Sequence, residues 1–549
     1  MVHQALTTPE LVRMIVDEAG SGWPGWSLDL PTLLSLALVC RVFHEPALDN
    51  LWFHQNGLHN VVNCLPTELW KMTNDASGRL VQTLRAPTRP TTQQDWERFD
   101  FYARRVGVLQ FNSNGVVGRR RRPVPGQLTE KLFRWLFSSR PSHQLLPSLS
   151  SLYWTELIPL EYSDSVHLLI GRRLSELYIR PAWTAGITAF HAIHTTLLHL
   201  PQCSPGVRKL EVDMPLDRDP VLHSIPGKAL MSLKRLEILT LRSASPVTFD
   251  ILAELSALPD LMTLTLSEFN YRQAVVNDMG VGHAASTTLF RALKSLRLSA
   301  SSMTDIDTVL SACRFVQLQQ IFLTSKYAFD ESKTLGSVLQ SVHECCSNAT
   351  LETVEIFDGT SADPDEDSAD VTQPITAASF RHLYDFHHLR SFILNTENCI
   401  VLDDDAVHEM AMSWPHLECL QLFSSPKYPW RIPTATTLEG LAHLARYCPL
   451  LSTLIFDVDT SNAVVSPDVK PGGGYCNRVL RTIGCFRSPV SGDPAQIGAF
   501  LYAIFPNLEA INEEEEIEMD DSWEPVVGTI EVLRIASQWE KKYGAPPTD

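Results

Sequence analysis

The sequence predicts an α/β fold: a solenoid of parallel strands inside and helices outside, preceded by a small all-α module of three helices. Three observations carry this. A short unit, apolar-x-x-apolar-x-apolar, recurs thirteen times after residue 146, and the segments between its copies have helical periodicity. Residues 7–52 instead read as helices alone. A chain of 549 residues is also too long for one compact core, so several domains or an elongated repeat array are expected.

The central apolar residues of the unit are Leu152, Leu177, Leu210, Leu239, Leu264, Leu296, Ile321, Val354, Phe392, Leu420, Leu454, Ile483 and Ile511. Their mean spacing is about 30 residues, a period that signals a repeat architecture. Helical patterns fill the intervals, as at 305–316, 334–346, 437–448 and 493–505, several opening on a Thr or Asp suited to an N-cap. Several close on a proline just before the strand unit (LPDL, WPHL, CPLL, FPNL), where it stops the helix and sets an extended entry. One strand and one helix cannot bury their apolar sides alone; stacked repeats can. A doubly wound domain would show continuous Val/Ile strands, and far fewer of them.

With these features, residues 146–549 resemble leucine-rich repeat proteins, in particular the irregular class with Cys-Pro before the strand, which ARYCPLLSTLIF (445–456) matches best. The Asn or Cys expected three residues after the strand is mostly missing, so irregular turns are expected. A last helix is predicted over about 528–543.

In the N-terminal module (1–55), Pro9 and Glu10 open a helix to about Ala19, a second helix is predicted over Thr32–Phe43, and a third begins near Pro46. At 100° per residue, Leu30, Leu33, Leu34, Ala37 and Leu38 share one face of the second helix. Leu36, Val39, Cys40 and Phe43 share the opposite one. A module of about 50 residues cannot cover both, so the first face is assigned to its own core and the second to a partner. Burying four such side chains contributes roughly 5–10 kcal/mol, before association costs of similar size.

Pro9, Glu10, Leu11, then Leu36, Val39, Cys40, Arg41, Phe43, then Asp49 and Trp52 resemble the F-box pattern Leu-Pro-x-Glu-Leu, Leu-x-x-Val-Cys-Arg-x-Phe and Asp-x-x-Trp. Thr8 replaces the opening Leu, and the loop after the first helix is unusually long. The continuation LHNVVNCLPTELWKM (58–72) and FYARRVGVLQF (101–111) is similar to fungal F-box proteins with divergent leucine-rich repeats; 56–145 is read as a helical linker with a flexible basic loop at 112–127. The resemblance implies a substrate receptor of a cullin–RING (SCF-type) ubiquitin ligase. Pro9, Leu11, Ile15, Leu36, Val39, Cys40, Phe43 and Trp52 would then bind the small SCF adaptor of the S-phase-kinase-associated family, which links to the cullin. Such a receptor supplies proximity and is not itself an enzyme. An interaction scaffold uncoupled from ubiquitin transfer is the alternative.

If the Leu-x-Leu leucines point inward, their flanking residues point to the concave surface of such an array. The residues flanking those leucines, between or just after them, include Tyr153, Tyr178, Arg180, Arg242, Arg297, Phe322, Phe357, Phe423 and Phe486, the residue types that binding hot spots favour.

Charge and motif content narrow the function. Residues 1–150 carry 16 Lys and Arg against 12 Asp and Glu, while the remainder carries 29 against 51, a net charge of −22. That balance argues against nucleic acid. No apolar run reaches the roughly 18 residues a bilayer needs, and the N-terminus lacks a basic region before an apolar run, so a cytoplasmic or nuclear protein is expected. The 11 cysteines include no CxxC, which fits thiols in a reducing compartment and no zinc site. GxxxxGK[ST], GxSxG and HExxH are absent, and GVGHAA (280–285) lacks the third glycine of a dinucleotide loop, so no cofactor or metal is expected. Arg119–Arg122 and the acidic stretches 363–370 and 513–521 read as solvated loops.

Overall fold

The computed structural model describes residues 8–20, 29–74, 78, 80–85, 90–111, 127–140, 144–154, 169–180, 186–213, 227–242, 246–247, 249–271, 288–326, 334–359, 374–424, 434–485, 488–512 and 521–543. The chain divides into two compact units, Met1–Pro246 with Ala257–Leu261, and Val247–Ser256 with Met262–Asp549. Each is built on a parallel sheet of the leucine-rich-repeat type.

The first unit begins with α1 (Pro9–Gly20), α2 (Leu30–Val39) and α3 (Arg41–Phe53). Asp29 starts α2 by accepting from the Thr32 amide and hydroxyl, with Pro31 in the first turn. The second helix is shorter than its periodicity predicts. Cys40 is extended (φ −160°, ψ 166°), α3 starts at Arg41, and Pro46 lies inside α3 rather than at its start. No glycine or proline marks this break, so the hydrophobic period runs on across it.

α3 passes directly into β1 (His54–Asn56), which pairs in parallel with β2 (Val108–Phe111). The ladder continues through β3 (Ser151–Trp154), β4 (Glu176–Ile179), β5 (Lys209–Asp213) and β6 (Ile238–Arg242). One register column reads Gln55, Leu109, Leu152, Leu177, Leu210, Leu239, and all are buried. The repeat unit therefore starts well before residue 146. Val106, Leu109 and Phe111 already carry it, while Gln55 opens the column with its amide donating to the Leu51 and Trp52 carbonyls. The region 56–145 is correspondingly not a purely helical linker. It holds β2, an antiparallel pair Trp70–Asn74 and Leu80–Leu84 joined by Gln127–Leu128, and helices Gln93–Ala103 and Glu130–Ser139, whose Trp96 and Trp135 stack 5.8 Å apart.

Among the described residues the second unit repeats the pattern nine times: β7 (Thr263–Tyr271), β8 (Ser295–Ala300), β9 (Gln320–Ser325), β10 (Thr353–Phe357), β11 (Ser391–Thr396), β12 (Cys419–Ser424), β13 (Thr453–Ile455), β14 (Thr482–Gly484) and β15 (Ala510–Ile511). The predicted central residues, Leu264 to Ile511, stand opposite one another from strand to strand. Strand alternation buries these and leaves their neighbours half-exposed, so the helices cover the leucine side and the other face stays open. Ser302, Thr334, Asp403, Thr437 and Asp493 each cap an outer helix through the side-chain oxygen. The last helix, Glu524–Tyr543, begins one turn before the predicted start and buries Val526 and Ile530.

Where a repeat lacks the expected turn residue, single buried polar side chains do the work. Asn477 donates to the carbonyls of Cys448 and Leu451 and accepts from the amides of Val479 and Leu480. Truncation leaves buried backbone groups unpaired, so Asn477→Ala is expected to cost about 2–4 kcal/mol, read as a lower urea midpoint at unchanged slope.

Candidate functional site

The three-helix module has a small core of Val16, Leu33, Ala37 and Ala47, with Leu36, Phe43 and Leu51 packed against it. This overturns the predicted division of faces. Leu36 and Phe43 turn inward, whereas Leu30, Leu34 and Leu38, assigned to the core, are exposed. The cause is the break at Cys40. Phe43 belongs to α3, so its angle to Leu36 along a continuous helix is meaningless. The inward stripe of α2 narrows to Leu33, Leu36 and Ala37.

What remains outside is strongly apolar. α2 presents Leu34, Leu38 (76% exposed), Val39 (68%) and the Cys40 thiol, and α1 presents Leu11, Met14 (65%) and Ile15 behind the exposed Pro9. Leu11, Met14 and Ile15 stand at the i, i+3, i+4 spacing of one helix face. That spacing was a legible signal for Met14. Exposed apolar patches on a small module are of the kind that mark interaction surfaces.

Trp52 is placed differently from its neighbours in the motif. It stacks on Tyr102 of the helix Gln93–Ala103 at 4.2 Å. Beside it, the nearly buried Arg105 guanidinium binds both Glu45 and Asp49 of α3. The hydrogen bond from Arg105 holds the Glu45 carboxyl below its ordinary range. The Gly107 amide donates to the Phe53 carbonyl. Module and first strands are thus joined by stacking, ion pairs and backbone continuity.

On the open face of the first unit, Tyr153 and Tyr178 stack in parallel at 4.1 Å, with the Lys209 ammonium 5.1 Å from the Tyr178 ring centre. Burial pushes both phenols up. Arg180 pairs with Glu211 and Asp213, and Arg242 with Asp213. On the second unit, Arg297 lies over the Phe322 ring, with its guanidinium carbon 4.2 Å from the centroid, and Phe357 and Phe423 are half-buried. Phe486, the basic residues Arg119–Arg122, loop residues 112–126, the stretches 363–370 and 513–520 and GVGHAA lie outside the described residues.

Among the described residues no three His, Cys, Asp or Glu side chains gather as a metal would require, and no helix is long and apolar enough to cross a membrane. Burial pushes the thiols of Cys313 and Cys448 up to about 12, which suits packing rather than nucleophilic chemistry.

No protein-family model matches the sequence, and no curated protein matches it. Solved structures similar to the chain include an internalin from Listeria monocytogenes (12% identity, 68% of this chain and 85% of that one, TM-score 0.30). A leucine-rich-repeat protein of Leptospira interrogans is similar at 12% identity over 76% and 86% of the two chains, TM-score 0.33. A crystal structure of the yeast Rad7–Elc1 complex matches at 13% identity over 70% and 75%, TM-score 0.31.

Proposed function

We propose that this chain is the substrate-recognition subunit of an SCF-type cullin–RING ubiquitin ligase, its helical module docking the small SCF adaptor and its repeat sheets holding a protein substrate. The observation that carries the reading is the outward apolar surface of α1 and α2, which the described residues leave uncovered beside an F-box-like sequence. The receptor supplies position, not chemistry. Fastening α3 to the first strands of its unit gives a bound adaptor a fixed bearing on the sheet that follows.

The test is co-purification of the full-length chain with recombinant adaptor, followed by cullin recruitment. Adaptor bound without cullin supports the scaffold reading instead; no adaptor bound defeats both. The Cys40 thiol gives an internal footprint. It is exposed beside Val39, whereas Cys313, Cys345, Cys346, Cys448 and Cys485 are buried. Maleimide should label Cys40 readily in the free protein and at least about tenfold more slowly in the adaptor complex, read by peptide mass spectrometry.

A further inference from the structure

Register places Arg297 at the centre of a grid on the open face of the second unit. Its row across the strands is Thr265, Arg297, Phe322; the rows on either side are Thr263, Ser295, Gln320 and Ser267, Ser299, Thr324. Six of its eight neighbours carry hydroxyls and one a carboxamide. Arg297 is exposed, with its guanidinium carbon over the Phe322 ring.

Arg180 and Arg242 spend their charge on carboxylates of neighbouring strands. Arg297 makes no ion pair among the described residues, and the hydroxyls of Thr265, Ser295, Ser299 and Thr324 make no hydrogen bond within them. The first carboxylate along its row is Glu355, two strands away; the two side chains form no ion pair, but the Arg297 charge acts on the Glu355 carboxylate and is partly offset by it. A guanidinium already ordered by stacking loses less entropy on forming a bidentate pair than a free one does.

We propose that this patch receives the carboxylate of a single Asp or Glu side chain in an extended peptide segment of the partner. The inference rests on the recognition role proposed above and names its chemistry. Charge selects a carboxylate over a phosphate. One guanidinium neutralises a monoanion, whereas a dianion would leave an excess negative charge near Glu355 on a chain of net charge −18. Glu355 also disfavours an acidic tract. Farther along the sheet, Phe357 and Phe423 flank Asn395 in register, with Ile393 on the same strand as Asn395. That apolar patch is centred three strands from Arg297, about 14 Å, which an extended chain covers in about four residues. The recognised segment therefore has one acidic residue and an apolar residue about four positions away.

The test is selection of a displayed library of random twelve-residue peptides on the full-length protein, with Arg297→Gln, Arg297→Lys and Phe322→Ala in parallel. Arg297 is exposed, so each variant is first checked for an unchanged thermal midpoint. Enriched peptides should share the acid-to-apolar spacing. Synthetic versions should lose at least about tenfold in affinity on Arg297→Gln or on Glu→Gln in the peptide, and recover in part with Arg297→Lys. Peptides that bind Arg297→Gln equally, that lack an acid, or that bind better with phosphoserine in place of Glu overturn the proposal, as does the absence of any enrichment over the Arg297→Gln protein. Adaptor capture by the same proteins is measured alongside. If it persists while selection fails, only this inference falls; if it fails while selection succeeds, the ligase reading falls and the peptide site stands.

Discussion

The double substitution Leu38→Asp with Val39→Asp is expected to abolish adaptor capture by the full-length chain while leaving its unfolding transition in place. Both side chains are more than two-thirds exposed, so their removal takes nothing from the module's core. Exposed substitutions of this kind usually change stability by no more than about 0.5 kcal/mol. In a complex the same positions would be desolvated, and two buried, unpaired carboxylates would weaken binding by at least about a hundredfold. The control is the pair that the helical period would have chosen. Leu36→Asp and Phe43→Asp strike side chains packed on Val16, Leu33, Ala37 and Ala47, so they should unfold the module and lower binding only through that loss. Pull-down with recombinant adaptor, beside thermal melts of both paired variants, separates the cases. Retained binding by the Leu38/Val39 variant removes the outward face of α2 from the interface.

The contrast shows what the sequence could and could not disclose. Ladder positions such as Leu152, Leu296 and Leu420 were legible because a buried strand column demands an apolar residue at each step and nothing else competes for that place. The start of the ladder was hidden because Gln55 replaces the leucine and satisfies its amide locally, by bonding α3 carbonyls. The docking face was legible in kind but not in residue. Periodicity shows that α2 is apolar all round, but which side faces inward depends on packing from α1 and α3. The break that reorients Phe43 has an ordinary residue, Cys40, in extended geometry, a conformation that leaves no compositional mark. On the open faces, the charged residues were visible one by one. Only the strand register showed that Arg180 and Arg242 sit in direct ion pairs while Arg297 feels Glu355 without pairing with it.

Trp414→Ala should be the most damaging single truncation in the second unit. The ring is fully buried, its Nε1 donates to the Leu383 carbonyl at 3.0 Å, and it packs against Tyr384 and Phe392. Removing it opens a cavity and strands a carbonyl, which together cost about 3–5 kcal/mol. Repeat arrays couple mainly to nearest neighbours, so the loss should be concentrated in the repeats around β11 and β12. Trp414→Phe retains most of the packing but not the donor, so it should recover more than half of the stability. Urea titration of the two variants ranks them. The decisive measurement is adaptor capture at a urea concentration where the repeats around β11 and β12 of Trp414→Ala have unfolded. The helical module lies in the other unit, so Trp414→Ala should capture adaptor as the parent chain does while losing selection of peptides at the Arg297 face. If both activities fall together, the two units unfold as one, and effects of substitutions on binding would have to be read against global stability.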